Sequence, residues 1–213
     1  MQIVAVISRT KYDFFRWRYE LTIPRKLLLA FGIACLIGLL AQVRVYTPWT
    51  PVPITGQTFA ALMAGVVMGR RWGGVSLAIY ALLGIAGIPW FAPQAGMPLF
   101  SAGGISHLAG PTGGYIVGMI LAALFLGYFT DKYVKARRFF SMLGLMLFAS
   151  LVIIYLPGLI WLGVWLNLVS GTPEAVSAVI AMGAVPFIVG DILKSVLAAV
   201  TARAITPGED YGR

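Results

Sequence analysis

Apolar residues gather into six runs along this chain, at about 27–46, 55–69, 72–88, 111–129, 139–168 and 176–205. Short polar or basic breaks separate them. The second and third runs fall short of the ~20 residues that a simple spanning helix needs. Between them lies "GRRWGG", and Arg70 and Arg71 there are too costly to leave at mid-membrane. The pattern therefore predicts two short helices rather than one long one. Pro157 and Pro186 fall inside the fifth and sixth runs and predict bends there. Ahead of the first run, "YDFFRWRYE" from Tyr12 to Glu20 mixes aromatic with basic residues and predicts a helix lying at the membrane surface. The preceding apolar stretch, Ile3 to Ile7, is too short for a signal peptide, and Arg9 and Lys11 interrupt the residues after it.

Composition makes lipid the solvent. With 60% hydrophobic residues, 11% charged and a mean hydropathy of +0.89, the chain has more apolar surface than a soluble domain of its size can bury. The net charge of +9 does not point to nucleic acid, because the cations cluster between apolar runs. Arg25 and Lys26 precede the first run, and Arg70 and Arg71 separate the second from the third. Lys132, Lys135, Arg137 and Arg138 separate the fourth from the fifth, and Arg203 lies near the end of the sixth. Six alternating spans with both termini in the cytoplasm place all of these clusters inside, leaving only Arg44 outside. The expected fold is an all-α integral membrane protein of six transmembrane helices. Its division is an N-terminal interfacial segment at 1–24, a membrane domain at 25–206 and a cytoplasmic tail at 207–213.

This topology sends residues 50–58, 89–110 and 167–175 to the outer side. The first of these, "TPVPITGQT", sets hydrogen-bonding groups at the mouth of a hydrophobic helix. The second is long, uncharged apart from His107, and suited either to a lid over an outward cavity or to plain interfacial packing. The sixth run carries "GDILKS", in which Asp191 and Lys194 are three residues apart and share a helix face. Ionisable groups at such depth face a bundle interior or a wet cavity, so the pair is either a structural ion pair or a site for a small polar solute.

Several chemistries are excluded by the sequence. "GDILKS" lacks the glycine before Lys194 that a phosphate-binding loop requires, and no such loop occurs elsewhere. A single cysteine, Cys35, and a single histidine, His107, allow neither an intrachain disulfide nor a histidine- or cysteine-based metal site. No nucleophile-elbow motif is present, and nothing supports an enzyme.

Taken together, "PVPITGQTFAALMAG", "GPTGGYIVG" and "GDILKSVLAA" resemble the BioY family, the biotin-binding S components of energy-coupling factor (ECF) transporters. The resemblance extends from about Leu27 to Ala204, and "YLPGLIW" from Tyr155 to Trp161 is similar to the family's pattern in its fifth helix. It implies a six-helix S-component bundle in the prokaryotic plasma membrane. The implied ligand is biotin, and no cofactor or metal is implied. The implied partners are a membrane coupling (T) subunit and two ATPase (A) subunits. On this resemblance Asp191 accepts a ureido N–H of biotin, and Lys194 donates to the ureido carbonyl or neutralises Asp191. Thr55, Gln57 and Thr58 are the remaining polar candidates, and Trp90, Phe91 and Tyr115 are candidate walls.

The chain departs from the family in having no arginine between Pro89 and Gly110 to meet the biotin carboxylate. Arg44, His107 or solvent is left for that role, with Gln94 and Ser106 as neutral substitutes. Ala30, Ala34 and Gly38 form a small-residue stripe on the first helix, suited to internal packing or to docking of the coupling subunit. The docking reading makes Ala30 and Ala34 the contact residues. The competing functions are an S component for another vitamin, a solitary ion-coupled or facilitated biotin carrier, and a scaffold without a ligand. Transport without any ATPase would mark the carrier, and failure to bind any vitamin would mark the scaffold.

Overall fold

A computed structural model describes residues 2–211, with the side chains of 2–5 and 7 outside the described set. Met1 and the last two residues of the expected 207–213 tail also lie outside the described residues. The chain opens with α1, Gln2–Glu20, followed by α2, Ile23–Gln42, which has a proline in its first turn. Two short antiparallel strands come next, β1 at Arg44–Val45 and β2 at Ile54–Thr55, with Arg44 opposite Thr55. Then come α3, Gln57–Ile85; a single turn, α4, Ile105–Leu108; and α5, Gly113–Lys132. A 3-10 turn at Val134–Arg137 leads into α6, Phe139–Phe148, and α7, Tyr155–Val164. The chain closes with α8, Val176–Gly183, and α9, Ile188–Ile205.

Among the described residues, three helical segments are each long and apolar enough to cross a membrane: Ile23–Gln42, Gly113–Lys132 and Phe139–Val169. The last of these joins α6 to α7 through a π-helical stretch at Ala149–Ile154 and runs into a second one at Trp165–Val169. Pro157 thus leaves the span continuous, with a wide turn just ahead of it instead of a break. Pro186 acts differently. It sits in the gap between α8 and α9, which meet at 46° and are long and apolar enough to cross a membrane only when taken together.

The expected pair of short helices is present within α3. Gly69 has φ 81° and ψ −169°, a non-helical conformation inside the element, and the chain doubles back there. The return arm comes so close that a Cβ on Gly73 would lie 2.7 Å from the Gly65 Cα. Residues on both sides of this hairpin are small, and α5 and α2 pack against it. A Cβ on Gly127 of α5 would lie 2.4 Å from the Gly69 carbonyl oxygen.

The same bend anchors a polar network at the basic end of the bundle. Asp131, at the end of α5, accepts hydrogen bonds from the Arg18 guanidinium at 2.7 Å, the Tyr211 hydroxyl at 2.7 Å and the Arg70 backbone N–H at 2.7 Å. Arg18 also donates to the Val67 carbonyl at 2.9 Å and lies over the rings of Phe15 and Tyr211. The buried Arg137 donates to the carbonyls of Thr130, Pro207 and Glu209. In this way α1 and the C-terminal segment are tied to the bundle. α1 keeps Phe15 and Arg18 buried and leaves Phe14, Trp17 and Tyr19 exposed, as a surface-lying helix requires.

The small-residue stripe of α2 serves internal packing. Ala30 and Ala34 are both 0% exposed, and Gly38 sits under the Trp90 side chain, where an added Cβ would lie 3.0 Å from Trp90 Cβ. Ala30 and Ala34, expected as docking residues, thus have no exposed surface in this structure. The side chains that α2 turns outward are larger: Leu28, Phe31, Leu36 and Leu39.

Gly69 occupies a backbone region that is essentially restricted to glycine. Its Cβ would also lie 2.3 Å from Asp131 Oδ2. Gly69→Ala is expected to lower stability by about 1–3 kcal/mol from backbone strain alone. Gly208→Ala, where nothing lies within 4 Å, should be close to neutral. Thermal unfolding of both variants in detergent checks the difference.

Candidate functional site

The break at Pro186 lets α9 start at Ile188, which puts Asp191 in the helix's first turn. Negative charge is favoured at that end of a helix. Asp191 is only 4% exposed. Its Oδ1 accepts a hydrogen bond from Lys194 Nζ at 2.8 Å, and its Oδ2 accepts one from the Tyr155 hydroxyl at 2.8 Å. Each carboxylate oxygen thus has a donor and keeps a further lone pair. Tyr155 comes from α7, so the ion pair is braced by a neighbouring helix and not only by its own turn.

Around this pair lies a small cavity of about 50 Å³. Asp191, Lys194, Thr55, Gln57, Thr58, Tyr115, Phe91 and His107 all line it. Eight residues expected from the sequence, drawn from distant parts of the chain, thus meet in one place. Trp90 and Arg44 are not among them. Trp90 lies behind the wall: it stacks on Tyr80 with ring centroids 5.4 Å apart and donates from Nε1 to the Tyr80 carbonyl at 3.0 Å. Arg44 donates to the Met97 carbonyl at 2.7 Å, which directs it to the outer loop. Gln94 and Ser106 are exposed and also lie outside the lining.

The strand pair and the start of α3 set the polar groups opposite Asp191. The Thr55 hydroxyl donates to Gln57 Oε1 at 3.2 Å, and Gln57 Nε2 donates to the Tyr80 hydroxyl at 2.7 Å. Pairing of β1 with β2 fixes Thr55, and the Gly56 N–H donates to the Leu40 and Val43 carbonyls at the end of α2. Tyr80, Tyr155, Thr112, Met119 and Phe187 complete much of the wall, and sequence reasoning does not single them out as site residues. Tyr80 sits in the return arm, where its hydroxyl looks like an ordinary interfacial group. Tyr155 stands out only as part of a motif; no spacing rule links it to Asp191.

Glycine makes the aromatic wall possible. A Cβ on Gly158 would lie 2.5 Å from the Tyr115 ring, and one on Gly114 would lie 2.3 Å from the Pro157 carbonyl. The "GPTGGYIVG" segment is thus a close helix contact that seats Tyr115, whose hydroxyl donates to the Gly183 carbonyl at 2.7 Å. Trp161 donates from Nε1 to the Gly110 carbonyl at 2.8 Å and pins the start of α5.

The long connection after α3 folds over the cavity at its root and stays exposed at its tip. Phe91 is fully buried, edge-on to Tyr80 and stacked on His107 with centroids 5.2 Å apart. Gln42 holds the connection down, donating to the Trp90 and Phe91 carbonyls and accepting from the Phe100 N–H. Residues 94–100 are exposed. Burial lowers the pKa of His107 below its ordinary value, so its imidazole is neutral at pH 7 and offers one N–H donor without a charge.

The BioY family matches residues 16–209 of this sequence. The chain belongs to the BioY family. Among its BioY relatives, a probable biotin transporter of Methanothermobacter thermautotrophicus is 50% identical over 150 residues, covering 70% of this chain and 91% of that protein. The biotin transporter of Thermotoga maritima is 33% identical, covering 84% of this chain and 94% of its own. A crystal structure of the S component for biotin from an ECF-type ABC transporter overlays with a TM-score of 0.71 at 24% identity. The overlay covers 86% of this chain and 93% of that one, and it shows that the two share one helical fold.

A partly buried neutral histidine yields a specific pH dependence. Below pH 6.5 the unfolded chain takes up a proton that the folded site resists, so His107 contributes a loss of stability as pH falls, and none above. Between pH 6.5 and 5, the unfolding temperature of the wild type should drop further than that of His107→Gln. Parallel slopes for the two proteins would contradict this assignment.

Proposed function

We propose that this chain is the biotin-binding S component of an ECF transporter in the prokaryotic plasma membrane. It captures biotin from the outer side, while a coupling subunit and two ATPase subunits drive release inside. The observation that carries this reading is the braced Asp191–Lys194 pair, set in the wall of a cavity that also gathers Thr55, Gln57 and Thr58. Its support from outside the chain is that BioY relatives are biotin transporters.

Biotin presents a ureido ring with two N–H donors and one carbonyl acceptor. The free lone pairs of Asp191 suit a ureido N–H, and Lys194 has donors left beyond its bond to Asp191. Tyr155 acts through Asp191, holding the carboxylate so that its other lone pairs face the cavity. Phe91, Tyr115, Met119 and Phe187 suit the apolar ring and tail. The valerate carboxylate is assigned to the outer rim. His107 and Thr112 supply neutral donors there, since Arg44 is turned towards Met97.

In topology, the α3 hairpin contributes two short spans and the broken α8–α9 pair contributes one, giving six crossings with both ends inside. The membrane domain is 25–206, flanked by the 1–24 segment and the 207–213 tail. No enzymatic step is assigned to the chain, and neither a cofactor nor a metal takes part.

Calorimetric titration of the purified protein with biotin tests the reading. Wild type should bind, and Asp191→Asn and Lys194→Ala should each weaken binding by more than ~1.4 kcal/mol, a factor of ten. Tyr155→Phe should weaken it by less, since the carboxylate and Lys194 remain. A folded wild type that fails to bind biotin would overturn the assignment, leaving the pair as a packing lock.

A further inference from the structure

A second, larger cavity lies at the opposite, basic end of the bundle. It is an open groove lined by Arg18 and Tyr19 of α1, Lys26 of α2, and Arg70, Arg71 and Trp72 at the hairpin bend. Asp131 and Lys132 at the end of α5 and Asp210 and Tyr211 near the C-terminus complete it. Separate parts of the chain thus bring cations to one place.

Their partners show which charges are already satisfied. Arg18 and Asp131 neutralise each other at 2.7 Å, and the Asp210 charge acts on the buried Arg137. Three ion pairs form among the described residues, and none includes Lys26, Arg70, Arg71 or Lys132. Lys26 donates to the Tyr19 carbonyl. Arg70 and Lys132 converge on the same ring, each 5.0 Å from the centre of Tyr128. Lys132 Nζ also donates to the Tyr128 hydroxyl at 2.6 Å, and both exposed cations keep further donors for an anion.

The surroundings narrow the ligand class. Arginine forks and a lysine point charge suit phosphate oxygens. Trp72 and Tyr19 are residue types that sit at the level of lipid headgroups. Beside Lys26 on α2, Ile23, Leu27 and Leu28 are 67%, 45% and 71% exposed, an apolar track leading from the groove along the bundle surface. A phosphate carrying acyl chains would satisfy the cations and the track at once, whereas a free phosphate would satisfy only the cations.

We propose that this groove binds the phosphate headgroup of an anionic phospholipid from the inner leaflet, with Arg70, Arg71 and Lys132 as its principal ligands. The lipid bridges the hairpin bend, the end of α5 and α1, and so fastens the basic end of the bundle to the membrane. Basic pockets of this kind on the cytoplasmic side of membrane proteins bind anionic headgroups, and the negative inner leaflet concentrates them there.

The test is native mass spectrometry of the full-length, delipidated protein in mild detergent, titrated separately with phosphatidylglycerol, phosphatidylcholine and inorganic phosphate. Two triple variants remove equal charge on the same side: Arg70→Gln/Arg71→Gln/Lys132→Gln in the groove, and Lys135→Gln/Arg138→Gln/Arg203→Gln outside it. Gel filtration and helical circular dichroism report folding of each. The expected result is phosphatidylglycerol binding that falls about tenfold in the groove variant and less than twofold in the outside variant. Phosphatidylcholine should bind far more weakly. Equal binding of the two lipids, or equal loss in the two variants, would overturn the site. Inorganic phosphate binding as tightly as the lipid would overturn the lipid assignment. If the triple groove variant does not fold, Arg71→Gln alone, at an exposed position, should still weaken phosphatidylglycerol binding measurably, and unchanged binding would count against the proposal.

Discussion

A carboxylate packed among helices must find donors for its oxygens, and this bundle meets that requirement once in its interior and once at its basic end. Asp191 is held by Lys194 and the Tyr155 hydroxyl; Asp131 is held by Arg18, the Tyr211 hydroxyl and the Arg70 backbone N–H. Each centre combines one cation with one tyrosine, and each draws its donors from separate elements. Removing a partner of the buried Asp191 leaves an uncompensated charge, at a cost of about 3–5 kcal/mol. The geometry of both ends is therefore constrained by these two anions.

The two centres differ in how much they leave open. Asp131 spends its oxygens on the chain itself, joining α1, the hairpin bend, α5 and the C-terminal segment. Asp191 is bound less completely and faces a cavity. Its position depends on the interruption at Pro186, after which α9 starts. Irregular backbone at membrane depth is tolerated where it lines such a cavity. The roof above is a different material: strand pair, loop root and single-turn α4, held by Gln42 and the Phe91–His107 stack. A site with its charges on rigid helices and its roof on loops can admit a solute without moving its charges.

Much of this is legible in the chain. Apolar run lengths anticipate α2, α5, the long α6–α7 segment and the bent α8–α9 pair, because lipid solvates only apolar surface and backbone must pair within the helix. "GRRWGG" announces the hairpin, since its arginines cannot rest in hydrocarbon. Asp191, Lys194, Thr55, Gln57 and Thr58 stand out as polar groups where polarity is expensive. Residues that blend into an apolar setting do not stand out. Tyr80, Met119 and Phe187 are ordinary in a membrane helix, and Trp90 promises a wall but serves to support Tyr80.

The sequence by itself determined that the chain is a helical membrane bundle, where its breaks fall, which end is basic and which polar residues are buried. These follow from transfer free energies that each residue carries wherever it sits. Tertiary structure alone decided that Ala30 and Ala34 face inward, that Arg44 turns to Met97 and that Tyr155 braces Asp191. Such outcomes depend on how far apart two helices pack and how they are rotated. Those quantities are set by steric fit between distant segments, as at Gly114 against Pro157 and Gly73 against Gly65, and no local pattern encodes them.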